Sequence, residues 1–463
     1  MAQALTLVAA SGAPPGAQMA AVLISASLGG AALLWVACER RFERLPVAAV
    51  LGLALVLRLI AAQASPLLED DHYRYLWDGM RTATTLDPYR LPPAAFFGQV
   101  DLAAHWQDIL GGINNPDIPT IYGPVLQWLF ALAHWISPGR LGALQALLLV
   151  ADMAVLWVLM GQGMATRWLL AYALHPLVLK EAIASAHPDG LVALALLLVL
   201  TAWRQRAAAR VGVMLGLAVG TKIAALVVLP LLLLAPAKQQ SAAAPVAAAA
   251  RWAFRLGLGF CATLAVLYAP FILNGGSDAS ALGIFGSRWR FNPLLYRAVE
   301  VLVPAAAART LAAALIVAGI AVLCWQWQRQ ARCAAACGST CPLPPVDLAL
   351  VLLLLFSPVV NPWYWLWALP LSTFFGRGWV VAGSVMAAVS YLNSTVLFEA
   401  GVWAAHGTVA APYSVPWPLA AFQMAVLFGA FAAVRARSKA LARVRAARSG
   451  ACPSSFETKG RPS

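Results

Sequence analysis

The runs LVALALLLVLTA at residues 191–202 and LALVLLLLF at residues 348–356 contain no charged residue. With their flanks they are long enough to match a hydrocarbon core of roughly 30 Å. Working outward, 62% of the 463 residues are hydrophobic and 11% are charged, with mean hydropathy +0.76. A soluble domain carries about 25% charged residues, so a water-soluble fold is excluded. The reading is an all-α polytopic membrane helical bundle with about 11–14 membrane segments and a large first external loop. Apolar segments fall near 18–38, 45–62, 121–136, 141–160, 168–184, 189–203, 209–220, 223–235, 252–273, 307–326, 346–360, 363–375, 379–397 and 417–434.

Charge orients the chain. Arg40/Arg41/Arg44, Arg204/Arg206/Arg210, the stretch from Lys238 to Arg255, Arg329/Arg332 and Arg377 mark cytoplasmic loops. The tail Arg435–Arg448 holds six basic residues and no acid, as expected near anionic lipid. Residues 63–120 carry eight acids and three arginines and are placed outside. The net charge of +14 therefore lies in short loops and implies no nucleic-acid partner. A single transmembrane domain over 1–434 is expected, with 63–120 as its external catalytic loop. A basic cytoplasmic tail at 435–463, partly disordered, completes it. The first span reads as uncleaved, without a signal peptide. The resulting location is the cytoplasmic (inner) membrane, with polar chemistry on the extracytoplasmic side.

Two segments need particular topologies. Counting crossings from both ends gives opposite sides for Ser137–Arg140. The 121–136 piece, short and broken by Pro124, is thus expected to be re-entrant or interfacial. The pair 209–220 and 223–235 is expected to form a hairpin turning at Gly220-Thr221-Lys222, which keeps Arg210 and Lys238 on one side. The alanine-rich patch at 242–250 reads as loop or helix extension. Cys333, Cys337 and Cys341 lack metal-site spacing, and no histidine lies near them.

Polar residues are few, so their grouping is informative. The first loop opens with Glu69-Asp70-Asp71-His72-Tyr73-Arg74-Tyr75-Leu76-Trp77-Asp78-Gly79. Adjacent carboxylates repel, and one should have a raised pKa that suits a general base or cation binding. A solvated acidic loop is the plain alternative, but the aromatic interleaving points to a folded surface. Arg58, Asp152, Lys180, Glu181 and Lys222 sit within apolar segments and should face the bundle interior. Asp152 reads as a helix-pairing residue, and Lys180–Glu181 equally as a structural ion pair or a functional one. Lys222, flanked by Gly220, can meet an anionic group. In Ala186-His187-Pro188-Asp189-Gly190 a His/Asp pair could bind a hydroxylated substrate, or Asp189 could be an ordinary N-cap. Ser287-Arg288-Trp289-Arg290-Phe291-Asn292 and Asn361-Pro362-Trp363-Tyr364-Trp365 combine outer-face cations with aromatics. That suits a lipid-linked phosphate and a sugar ring, although Trp and Tyr also populate interfacial belts.

These landmarks occur in an order that resembles a known family. Asp70-Asp71-His72-Tyr73-Arg74-Tyr75-Leu76-Trp77-Asp78-Gly79 is followed by Asp87-Pro88-Tyr89 and Thr120-Ile121-Tyr122-Gly123-Pro124. Further on come His175-Pro176-Leu177 with His187-Pro188-Asp189, Gly220-Thr221-Lys222, Trp289-Arg290-Phe291-Asn292 and Ser357–Tyr364. From about residue 58 to 375 the chain resembles the GT-C glycosyltransferases, above all the bacterial polyprenol-phosphate-mannose-dependent alpha-mannosyltransferases. It departs from their pattern in carrying His175 and Pro188 where asparagine is common.

The resemblance implies an inverting hexosyl transfer, mannose foremost, from a polyprenyl-phosphate sugar to an extracytoplasmic glycan or lipid acceptor. Asp70 or Asp71 would be the base, with Lys222, Arg288, Arg290 and Arg74 on the donor phosphate. Tyr73, Trp77, Asp78, His187, Asp189, Trp289, Asn292, Trp363 and Tyr364 would contact sugar or acceptor. No metal ligands are assigned, and no cofactor is required, with a divalent cation left open. The competing readings are a transporter or flippase, which would use midplane sites in inverted repeats, and a surface-glycan polymerase, which would carry its large loop later in the chain.

Overall fold

The computed structural model describes residues 1–234, 245–337, 339–393, 396–397 and 415–448. Among them the chain is helical, with no strand beyond an isolated bridge between Phe291 and Val359. Among the described residues, five helices are long and apolar enough by themselves to cross a membrane. Shorter apolar helices fill the bundle between them, and the chain is a multi-pass membrane protein.

The chain opens with α1 (Ala2–Ala9), an element the sequence reading omitted, and α2 (Pro15–Cys38). After α3 (Val47–Ala61), the first loop contains α4 (Asp71–Thr85) and α5 (Ala104–Gly111). Beneath α4 lies α6 (Pro124–Ile136), which starts at a proline that has no N–H to lose in the first turn. Gly123, at the head of α6, meets the Gly220 carbonyl, and Gly139, beyond its other end, abuts His105 and Ile109 of α5. Both ends of α6 therefore lie on the loop face. This is the interfacial helix the parity argument required.

From there α7 (Leu141–Gly161) descends to the opposite face, and α8 (Thr166–Ala173) returns. The return stops at His175-Pro176, because proline lacks the donor and restricts the residue before it. It resumes as a π-helical turn over Val178–Ala184. α9 (Gly190–Arg204) descends and α10 (Ala208–Thr221) ascends. On α10, Gly212, Gly216 and Gly220 recur every fourth residue. A Cβ at Gly212 would lie 2.0 Å from the Leu256 carbonyl oxygen of α12 (Pro245–Leu273). Small residues at this spacing let two membrane helices touch backbone to backbone. The alanine-rich patch beyond Pro245 extends α12, and residues 242–244 lie outside the described residues.

The hairpin expected at Lys222 is present. A 3-10 turn over Ile223–Val228 and α11 (Leu229–Leu233) carry the chain back, so that the Leu232 carbonyl accepts from the Trp252 indole, 2.9 Å away. Trp252 in turn packs on Trp203, at the foot of α9. On the loop face α13 (Ala279–Arg288) and α14 (Leu295–Leu302) form a short superstructure before α15 (Ala305–Ala336) descends. α16 (Val346–Phe356), α17 (Trp365–Phe374) and α18 (Gly378–Ser384) alternate across the bundle. The last helix, α19 (Trp417–Arg448), extends through the basic segment. The end of the tail, where disorder was expected, lies outside the described residues. Arg204, packed on Phe374, and Arg377, paired with Asp347, sit on the face opposite the loop. Arg167, 2.8 Å from Glu43, joins them there.

Candidate active site

A cavity of about 690 Å³ opens beneath the first loop. The acidic stretch, the segment 114–122, Lys222, Trp289–Phe291, Asn361–Tyr364 and Tyr391 enclose it. Residues far apart in sequence thus converge because their helices all end at this level of the bundle.

Asp70 precedes α4 and Asp71 begins it. Asn114 bridges them, its Nδ2 donating to Asp70 Oδ1 at 2.5 Å and to Asp71 Oδ1 at 3.0 Å. Partial burial, followed by the charge of Asp71, raises the Asp70 pKa, in line with the repulsion expected of neighbouring acids. Asp70 is exposed, whereas Asp71 is turned inward, where its Oδ2 accepts from the Tyr122 hydroxyl at 3.2 Å.

Lys222 stands where α10 ends and the chain goes extended. Its ammonium lies 4.9 Å from the Tyr122 ring centre and 5.3 Å from that of Tyr364. Its Nζ is 3.6 Å from Asp189 Oδ1, which also accepts from the Trp367 indole at 2.6 Å. Asp189 occupies the N-cap position of α9, yet its side chain makes no capping bond. Its carboxylate is used across the bundle. Tyr122 touches both Asp71 and Lys222, so one aromatic ring spaces the acid from the cation. The close approach of Gly123 to the Gly220 carbonyl, with room for no Cβ, fixes that spacing.

Behind this wall lies a second polar group. Glu69, Lys180, Glu181 and Tyr391 meet there, with Lys180 Nζ 3.2 Å from Glu181 Oε2 and 3.5 Å from Glu69 Oε1. The Tyr391 hydroxyl bonds both carboxylates. The His187 ring stacks on Trp363 at 3.9 Å, and its Nδ1 is 2.9 Å from the Tyr75 hydroxyl.

The other expected site residues divide. Arg290 and Trp289 line the cavity, and Arg290 is already paired with Glu300 at 2.6 Å. Arg74 reaches the cavity wall, but its guanidinium donates to the Ile118 and Asn115 carbonyls and so holds the loop together. Arg288 is exposed and does not line the cavity. Tyr73 and Trp77 pack into the small core that α4 makes with α5. Asp78 is buried against Gln127. Burial, opposed by Arg74, pushes its carboxyl up to about 6. Asn292 bonds Gln423 and the Val360 carbonyl and works as a strut. His175 is buried away from the cavity, on the Val381 carbonyl and Ser384 of α18. Sequence reasoning missed Asn114, Tyr122, Trp367 and Tyr391 as parts of the site. Only Tyr122 carried a signal, its place in the Thr120–Pro124 stretch.

A family model described as alpha-(1->6)-mannopyranosyltransferase, N-terminal domain, matches residues 2–238. Neither the curated proteins nor the solved structures yield a significant match. The matched region holds Asp71, Glu181, His187, Asp189 and Lys222, while Trp289, Trp363 and Tyr391 lie beyond it. The chain belongs to this family and is a membrane mannosyltransferase.

Proposed function

We propose that this member of the mannosyltransferase family takes mannose from a polyprenyl-phosphate donor. It passes the sugar to a hydroxyl of a glycan or glycolipid, in an alpha-(1->6) linkage as the family description suggests. The observation that carries this reading is the convergence of Asp71 and Lys222 on one cavity, spaced by the Tyr122 ring. Asp71 is the base: it accepts the proton of the acceptor hydroxyl as that oxygen attacks the anomeric carbon. The bond from that carbon to the phosphate oxygen breaks on the opposite side, which inverts the centre. Polyprenyl phosphate departs with the electron pair, and Lys222 offsets its charge in a water-poor site. Trp363 and Tyr364 give the sugar an aromatic floor. Trp289 and Phe285 line the cavity beside α13, where a lipid tail can continue into the bilayer.

The arginines on the face opposite the loop support a cytoplasmic-membrane location with the cavity on the extracytoplasmic side. The single domain over 1–434, with 63–120 as its catalytic loop, fits the way α4 and α6 roof the cavity. The test uses radiolabelled polyprenyl-phosphate mannose in membranes. Asp71→Asn is expected to lower transfer by about 10²–10⁴-fold, the usual worth of a general base, and Asp70→Asn to retain most of it. Full transfer by Asp71→Asn and by the double variant would refute the assignment.

A further inference from the structure

Behind the cavity, two carboxylates and an imidazole point at one another. Glu69 comes from the end of the loop that follows α3, Glu181 from the π-helical turn, and His187 from the turn into α9. The Oε1 atoms of both glutamates are held by the Tyr391 hydroxyl. Their Oε2 atoms face the other way, each 3.7 Å from His187 Nε2, and that of Glu181 also accepts from Lys180 Nζ at 3.2 Å. That nitrogen has no hydrogen-bond partner, although His187 is only 1% exposed. The three atoms lie within 4.8 Å of one another.

One feature argues against an ordinary hydrogen-bonded cluster. A buried polar atom is normally paired, yet at 3.7 Å the imidazole bonds neither carboxylate. The second coordination layer is in place. His187 Nδ1 meets the Tyr75 hydroxyl, which lies 3.5 Å from Asp71 Oδ2. The tautomer with its proton on Nδ1, donating to the Tyr75 hydroxyl, is the one that presents the Nε2 lone pair between the two glutamates, as a metal ligand requires. Metal-bound histidines are oriented in this way by the partner of their other nitrogen.

We infer that Glu69, Glu181 and His187 form a binding site for a divalent transition metal, with Zn²⁺ as the best match to one nitrogen and two carboxylate ligands. The ion would tie the start of the first loop to the π-helical turn. Through His187 and Tyr75 it would set the hydrogen bonding of Asp71, which makes it a positioning ion without direct contact to the sugar.

The test measures zinc in the purified full-length protein after chelator treatment, reloading with Zn²⁺ and desalting. About one tightly held zinc per chain is expected, falling at least about tenfold in His187→Ala and in Glu181→Gln. Asp71→Asn should keep its zinc, which separates this inference from the catalytic assignment. X-ray absorption of the loaded wild-type protein should show nitrogen and oxygen ligands at about 2.0–2.2 Å and no sulfur. That measurement stands even if the variants fold poorly. A wild-type protein that retains no zinc, zinc bound equally by His187→Ala, or a cysteine-ligated ion would each overturn the assignment.

Discussion

Two of the buried ionic clusters among the described residues differ in how their carboxylates are used. In mid-bundle, Arg58 of α3 donates from Nε to Asp152 of α7 at 2.6 Å and from Nη1 to the Ala173 carbonyl at 2.8 Å. The second Asp152 oxygen accepts from the Tyr172 hydroxyl at 2.6 Å. Both carboxylate oxygens are thus used, and only Arg58 Nη2 lacks a partner. The loop-face cluster around Glu69, Lys180, Glu181 and His187 has more ionisable groups, leaves an imidazole nitrogen bare and borders a cavity. Charge inside a membrane is costly in both places. What separates them is the carboxylates and the setting. The first cluster joins three helices and closes both oxygens of its carboxylate, while the second borders the cavity, with the His187 Nε2 unpaired between two carboxylates.

That contrast can be broken at several points. The largest effect expected is on the closed cluster. Asp152→Ala strands a buried guanidinium and should cost about 3–5 kcal/mol of stability, whereas Arg58→Met with Asp152→Leu should recover most of it. Thermal unfolding in detergent measures both, and a mild single variant would show that the pair is not structural. Next is Asp78, whose carboxyl is pushed up to about 6 by burial. Because the folded pKa lies above the unfolded one, its protonated form favours the fold. The stability it contributes is complete below pH ~4 and is lost as pH rises through ~6, about 3 kcal/mol in all. Asp78→Asn should flatten that stretch of the stability–pH curve, and an unchanged curve would remove Asp78 from the account.

Smaller effects probe the cavity side. Lys222→Ala should raise the KM for the donor about tenfold or more, the worth of one charged hydrogen bond, in the protein that still folds and inserts. An unaltered KM would take Lys222 off the phosphate. Arg288→Ala is expected to change transfer by less than about twofold, since an exposed side chain away from the cavity has little to lose. A large loss there would mean that the donor phosphate sits farther out than the cavity floor.

Much of the framework could be read directly from the chain. The charge-free runs demanded membrane helices, the arginines grouped one face, and a parity mismatch, with the shortness of 121–136 and its Pro124, pointed to α6 as a re-entrant or interfacial helix. The GxxxGxxxG pattern at Gly212, Gly216 and Gly220 was equally legible and was overlooked. Its consequence, the tight packing of α10 on α12, appears in the fold. Lys222 stood out as a charge within an apolar segment, and Asp71 as one of three successive carboxylates in the first loop. Reading whole polar and aromatic stretches as site overreached for Trp77 and Asn292, which serve local packing.

By itself, then, the sequence determined that the chain lives in a bilayer, where most of it turns, and which residues are expensive enough to need a reason. Hydrophobicity and charge are properties of single residues and short windows, so they survive without coordinates. Which expensive residues meet was decided only in three dimensions. Asp71 and Lys222 share Tyr122 because Gly123 and Gly220 bring two helix ends into contact. His187 faces Glu69 and Glu181 because a proline break and a π-helical turn rotate Glu181 out of ordinary helical register. Those encounters depend on helix ends and rotations of a few ångströms, which no pattern along one chain records.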